Sequence, residues 1–281
     1  MNVVISPGQQ EQQTQIICLR PAPQASVRLI CFAHAGATES SFAFWPILLG
    51  ETIEVVAVRR PPLANYPTLI EHLTEAVSAY VSRSPRLPYA LFGQSLGSLL
   101  AFGVARRLRH LQVTQPCCLL CASASAPQIP VTWWPFPPPQ EWTGSELVRY
   151  LREAGGTSET VLHNAHALQR LLPRLQVDLA VRASFRYTHE PQLDYPLGVF
   201  GGRVDASLSV DGLATWEAQT VNHFSLYRFP GGHFFMNDPA IRRSFLQTLS
   251  WEVSRWLKDE STCGQVQGQE RNEHDGTRET C

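Results

Sequence analysis

One stretch near the middle of the chain restricts its fold more than any other. The apolar run Tyr89-Ala90-Leu91-Phe92 leads without a spacer into Gly93-Gln94-Ser95-Leu96-Gly97, and a helical pattern begins at Leu96 and reaches His110. A buried strand that turns straight into a helix needs a sharp corner. Glycines two positions either side of Ser95 remove the Cβ atoms that would crowd such a corner. In a G-x-S-x-G turn of this kind the serine is raised at the carboxyl end of its strand, where it is open to chemistry. Ser95 is therefore the candidate nucleophile, and the flanking strand and helix lift the pentapeptide above a chance glycine-rich turn.

The rest of the chain agrees with a strand-turn-helix unit inside a larger sheet. Apolar runs at 27–32, 54–58, 89–92, 117–122, 197–200 and 225–229 alternate with helical patterns such as 69–82 and 96–110. That alternation predicts a mainly parallel sheet flanked by helices, an α/β fold. The last helix is marked by Asp238 as N-cap and Pro239 at its first position, and runs amphipathically to Lys258. Between Ala126 and Pro191 the strands lapse and helical patterns take over. This insertion, about 127–190, opens with Trp133-Trp134-Pro135-Phe136 and is broken by Gly155-Gly156. At the carboxyl ends of the strands, where such sheets bind ligands, it reads as a helical lid. A chain of 281 residues, 44% hydrophobic, can bury one large core, so one domain is expected over 1–260, followed by a disordered polar tail over 261–281.

Composition removes several classes of function. A formal net charge of -1 and a pI near 6.8 supply no field for nucleic acid or an anionic membrane. No apolar run approaches the ~20 residues that span a bilayer, and the start of the chain is polar, so a cytoplasmic protein is expected. Seven cysteines, three of them in Cys117-Cys118-Leu119-Leu120-Cys121, read as reduced thiols in a buried strand. Cys118 and Cys121 spell CxxC, but an offset of three in a strand sends the side chains to opposite faces, which suits neither a redox pair nor a metal clamp.

A serine nucleophile needs a base and an acid, and in this fold they follow it in the order acid, then histidine. His233 lies in the glycine-flexed loop Phe229-Pro230-Gly231-Gly232-His233-Phe234-Phe235, whereas His72, His110, His163 and His166 fall in helical patterns and His274 in the tail. Asp205 follows the run 197–200 through Gly201-Gly202-Arg203-Val204. Its competitor Asp211 reads better as a first-turn helix carboxylate favoured by the dipole. The oxyanion requires pre-aimed N–H donors. Leu96 supplies one, and the loop Phe32-Ala33-His34-Ala35-Gly36-Ala37 the other, with Ala35 as donor and Gly36 in reserve; His34 reads as a loop-ordering side chain.

Several motifs in order resemble those of the type II thioesterases, the discrete editing enzymes of polyketide and nonribosomal peptide synthesis. Cys31-Phe32-Ala33-His34-Ala35-Gly36 is similar to FPHAGG, and Ala90-Leu91-Phe92-Gly93-Gln94-Ser95-Leu96-Gly97 to ALFGHSMG. Leu151-Arg152-Glu153-Ala154-Gly155-Gly156-Thr157 resembles LRRLGGT, Gly201-Gly202 with Asp205 resembles GGxxD, and residues 229–235 resemble FPGGHFF. Departures are Gln94 for a usual histidine, Ala37 for a second glycine, and Arg60-Pro61-Pro62 for a PGR-like turn. The resemblance implies an α/β-hydrolase fold and a serine thioesterase that releases acyl or aminoacyl groups from phosphopantetheine on acyl or peptidyl carrier proteins. It implies no metal or cofactor beyond that substrate-borne arm, and a monomer. Ser95, Asp205 and His233 are then catalytic, and Gly36, Gln94, Trp133, Trp134 and Phe234 are candidates for binding substrate. The Trp133-Trp134 patch is equally a packing element, and Arg106, Arg107 and Arg109 answer to the helix dipole as well as to an acidic carrier protein. An esterase or acyltransferase with the same triad, and a non-catalytic carrier-binding module, are the rival readings.

Overall fold

The computed structural model describes residues 13–130 and 142–269, with side chains as far as Leu257. Seven strands form one sheet: β1 (Gln15–Cys18), β2 (Val27–Phe32), β3 (Ile53–Arg59), β4 (Tyr89–Gln94), β5 (Cys118–Ala122), β6 (Leu197–Gly202) and β7 (Phe224–Phe229). Their order is β1-β3-β2-β4-β5-β6-β7, with β1 antiparallel to β3 and every other pairing parallel. The helices are α1 (Trp45–Leu49), α2 (Tyr66–Val81), α3 (Leu96–His110), α4 (Gly144–Ala154), α5 (Glu159–Leu162), α6 (Ala165–Ser184), α7 (Val210–Ala214) and α8 (Pro239–Gln269). This is the α/β-hydrolase arrangement.

The strands read as continuous apolar runs because both faces are covered. Ile30 and Phe32 join Leu91, Leu119 and Val199 under α2 and α3, while Leu29 and Cys31 join Phe92, Leu120 and Phe200 under α1 and α8. Cys121 lies in the first core and Cys118 in the second, as an offset of three in a strand requires. On the second face Trp45, Phe92, Phe200 and Phe245 meet at tilted or edge angles with centroids 5.0 to 6.0 Å apart, pairs that each add about 0.5–1.5 kcal/mol to simple burial.

Strand order also locates the crevice. The chain leaves β2 through α1 on one face and leaves β4 through α3 on the other. The loops after the neighbouring strands β2 and β4 therefore diverge, and a gap opens at their carboxyl ends where α/β sheets bind ligands.

Two features lie outside the pattern expected from the sequence. β1 was not foreseen: four half-buried residues at the sheet edge are too few to show a period of two. Helix α8 continues to Gln269, past residue 261 where the polar tail is expected to begin. Phe245, Leu249, Val253 and Trp256 bury the inner face of α8, and this packing stabilises the helix over its first five turns. The remaining expected tail, 270–281, lies outside the described residues.

The insertion folds as α4, α5 and α6 around a small core of Trp142, Leu147, Leu151, Leu162, Leu175 and Leu179, which packs against Ala35. Its starts are capped locally. Thr143 and Glu146 form a reciprocal capping box on α4, and Ser158 and Asn164 cap α5 and α6.

Candidate active site

Ser95 stands between β4 and α3 at φ 55° and ψ −118°, backbone angles that a residue with a Cβ rarely adopts. Its surroundings hold it there. Ser95 N–H donates to Ala122 O at 2.7 Å, and Ser98 Oγ lies 2.8 Å from Gly93 O and 3.0 Å from Ala122 O. The two glycines of the motif have steric causes. A Cβ on Gly93 would sit 2.2 Å from Gly97 O, and one on Gly97 would sit 2.0 Å from Phe32 O. The corner exists only because β2, β4 and α3 approach backbone to backbone.

His233 and Asp205 arrive on the loops that leave β7 and β6. His233 Nε2 is 3.0 Å from Ser95 Oγ, and His233 Nδ1 is 2.9 Å from Asp205 Oδ2. Ser207 donates to the other oxygen, Asp205 Oδ1, from N–H at 2.9 Å and from Oγ at 2.6 Å. Burial alone would raise the Asp205 pKa, but the hydrogen bond and charge of His233 and the two Ser207 donors outweigh it and hold the carboxyl below its usual value. The network thus assigns a proton to Nδ1 and turns the Nε2 lone pair towards Ser95. Ser123 Oγ donates to His233 O at 2.7 Å and anchors the histidine loop. Asp211 instead occupies the exposed first turn of α7. Sequence reasoning missed Ser207 and Ser123. For Ser207 a signal existed, since an aspartate commonly accepts from the residue two positions on.

On the opposite side of Ser95 lies the loop 33–37. His34 Nδ1 donates to Ala35 O at 2.9 Å, so the imidazole orders its own loop as expected. Burial pushes the His34 pKa down to about 4, with the Arg60 and His233 charges adding to the shift. Gly36 N–H donates to Asp178 Oδ2 at 2.8 Å. That corrects the expectation of Gly36 as a reserve oxyanion donor, because its N–H is already engaged. The N–H groups of Ala35 and Leu96 have no acceptor among the described residues.

The remaining candidates divide. The Phe234 ring meets His34 at 4.9 Å and His233 at 5.0 Å, both edge-on, and from the insertion Gly156 lies against it. A Cβ on Gly156, at φ +82°, would stand 2.5 Å from the Phe234 ring, which explains the second glycine of the pair; the first, Gly155, needs glycine only for its φ of +76°. Gln94 is buried to 3% exposure, its Nε2 without a partner among the described residues. Trp133 and Trp134 lie outside the described residues. A cavity of about 460 Å³ between α4 and α6, with Leu147, Leu168, Leu172 and Pro173 in its wall, does not include the Ser95 corner.

Comparison with known proteins places this geometry. Residues 27–250 match the model of the Thioesterase domain family. The gramicidin S biosynthesis protein GrsT of Aneurinibacillus migulanus is 32% identical over 221 residues, which cover 75% of this chain and 84% of that protein. The medium-chain S-acyl fatty acid synthase thioesterase of Homo sapiens is 29% identical over 233 residues, covering 79% and 86%. Among solved structures, the type II thioesterase BorB from the borrelidin biosynthetic cluster aligns with a TM-score of 0.75 at 29% identity, over 85% of this chain and 97% of that one. With the family match running from β2 into α8, this chain belongs to the thioesterase domain family and is a thioester hydrolase.

Proposed function

We propose that the enzyme removes acyl or aminoacyl groups from the phosphopantetheine thiol of acyl or peptidyl carrier proteins, as a discrete editing or releasing thioesterase of polyketide, nonribosomal peptide or fatty acid synthesis. The observation that carries this reading is the unbroken line from Ser95 Oγ through His233 to Asp205, bonded at 3.0 and 2.9 Å at the sheet's crevice. The relatives' own assignments, to gramicidin S biosynthesis, fatty acid synthase and a borrelidin cluster, support the substrate class.

In this reading His233 Nε2 takes the Ser95 proton as Oγ attacks the thioester carbonyl. The oxyanion meets Leu96 N–H and Ala35 N–H. The C–S bond then breaks, and the sulfur leaves as a thiol with the proton from His233. A thiol is far more acidic than an alcohol, at about 8.5, so the step makes little demand on His233 as an acid. Water, deprotonated by His233, attacks the acyl-Ser95; the C–O bond breaks, Ser95 regains its proton and the carboxylic acid departs. Asp205 holds the tautomer and balances the imidazolium charge. The insertion acts as the lid of this site, a role supported by Gly156 against Phe234 and by Asp178 on Gly36. Trp133 and Trp134 are its candidate acyl contacts. The only prosthetic arm involved is the one the substrate carries. The enzyme works in the cytoplasm as a monomer; among the described residues no helix is long and apolar enough to cross a membrane.

The test is hydrolysis of acetyl-, butyryl- and decanoyl-thioesters, on carrier protein and on N-acetylcysteamine, by wild type and Ser95→Ala. Carrier-bound substrates are expected to be preferred, and Ser95→Ala to lose about four orders of magnitude or more. Turnover of oxygen esters alone would make the chain an esterase, and passage of the acyl group to an added amine in place of water an acyltransferase. A wild type no faster than Ser95→Ala would leave a carrier-binding module.

A further inference from the structure

The geometry points to Arg60 and Asp178 as positioning residues that aim the Ala35 N–H at the reacting carbonyl and so tie the insertion to the oxyanion hole. This rests on the thioesterase reading above, with Ala35 as the second donor. Arg60 directly follows β3 and Asp178 belongs to α6, and their side chains are 1% and 3% exposed. Arg60 NH1 donates to Ala33 O at 2.6 Å, and NH2 lies 3.2 Å from His34 O, 3.4 Å from Ala37 O and 2.7 Å from Asp178 Oδ2. The same carboxylate oxygen accepts Gly36 N–H at 2.8 Å, with Arg174 Nε at 3.5 Å.

Peptide planarity turns these bonds into an orientation. The carbonyl of His34 and the N–H of Ala35 belong to one trans peptide unit and point in opposite directions. Drawing His34 O towards Arg60 therefore turns Ala35 N–H away from Arg60. The next unit is held at both ends, since Ala35 O accepts from His34 Nδ1 and Gly36 N–H donates to Asp178. Both torsions of Ala35 are thereby fixed, by Arg60 and Asp178 from outside the loop and by His34 within it. Stability alone does not account for the choice of residues, because a buried ion pair is commonly matched by apolar packing of equal volume. Here Arg60 Nε also remains without a partner among the described residues, while both terminal nitrogens are committed to the loop and to Asp178. A forked donor that spans several carbonyls is something arginine provides and lysine does not.

Asp178→Asn and Arg60→Lys test the assignment. Asp178→Asn keeps the shape and an acceptor but removes the charge that orients Arg60; Arg60→Lys keeps the charge but loses the fork. Each variant is checked for folding by thermal melting. In each, kcat on a carrier-bound thioester is expected to fall about 10- to 100-fold, near the loss of an oxyanion donor, with KM within about twofold. The rate of fluorophosphonate labelling at Ser95 and the affinity for an alkyl boronic acid, which forms a tetrahedral adduct, should drop by the same factor. Binding of a non-hydrolysable thioether analogue should not change. Folded variants with wild-type kcat, or with a raised KM and unchanged boronate affinity, overturn the inference; if one variant does not fold, the other decides. A wild type that neither labels nor turns over thioesters fails the thioesterase reading itself, whereas a competent wild type with equally competent variants fails only the positioning role.

Discussion

Two groups of residues flank Ser95, and they are held in different ways. On one side His233 and Asp205 ride on the loops of β7 and β6, strands that pair in parallel up to Gly202 and Phe229. The further donors to Asp205 are local: Ser207, two residues on, supplies both bonds to the second carboxylate oxygen. On the other side the loop 33–37 leaves β2, but its shape depends on Arg60 and on Asp178, which lies 118 residues beyond Arg60. The first side is built by strand ends and short turns, so its members carry recognisable spacing. The second is built by a contact between distant segments, and no spacing announces it.

The sharpest way to probe the first side is to change its acid without moving it. Asp205→Asn is expected to lower kcat by about 10³- to 10⁴-fold, because the wrong tautomer of His233 then faces Ser95. Asp211→Asn, at the exposed start of α7, should stay within about twofold. Steady-state kinetics decides, and equal losses at the two positions would remove Asp205 from the triad.

An intermediate effect is expected where the insertion meets the histidines. Gly156→Ala combines a positive φ, which costs about 1 kcal/mol for a residue with a Cβ, with a 2.5 Å approach to the Phe234 ring, an overpacking that typically costs about 1–3 kcal/mol. A loss of about 2–4 kcal/mol in denaturant unfolding is the expected result, and Phe234→Ala added to Gly156→Ala should recover part of it. No recovery would mean that Phe234 is not what the glycine accommodates.

The smallest effect reports on the loop side through pH. His34 has its pKa pushed down to about 4, below the ordinary value near 6.5. Between those values the unfolded chain binds a proton that the folded chain refuses, so stability falls as pH drops from about 6.5 to about 4. With His34 partly solvent-exposed the loss should be about 2 kcal/mol, and His34→Gln should flatten that part of the stability profile. Asp205 acts in a lower window. Its depressed pKa contributes stability that is present above the unfolded value near 3.9 and is lost as pH falls through the folded one. An unchanged slope in His34→Gln would show that the imidazole is solvated in the folded state.

What could be read in the chain follows the same division. Six of the seven strands, the Ser95 corner and the loops of Asp205 and His233 were legible, since a parallel sheet covered on both faces forces continuous apolar runs, and a strand-to-helix corner forces glycines at fixed positions. β1 was not, because four half-buried residues form no pattern. Gly155-Gly156 was legible as a break, but its purpose was not, because Phe234 approaches it only after the insertion has folded back over the sheet. Arg60 stood out merely as a departure from a family turn.

By itself the sequence determined the sheet, the corner and the loops that carry Asp205 and His233, because each depends on residues close together in the chain or on a repeating apolar period. Only the tertiary structure decided that Gly36 N–H is committed to Asp178, that Arg60 gathers the carbonyls of the facing loop, and that Phe234 packs between two histidines and a glycine. Those contacts join segments distant in sequence, and a chain records which groups it contains but not which of them burial brings within hydrogen-bonding distance.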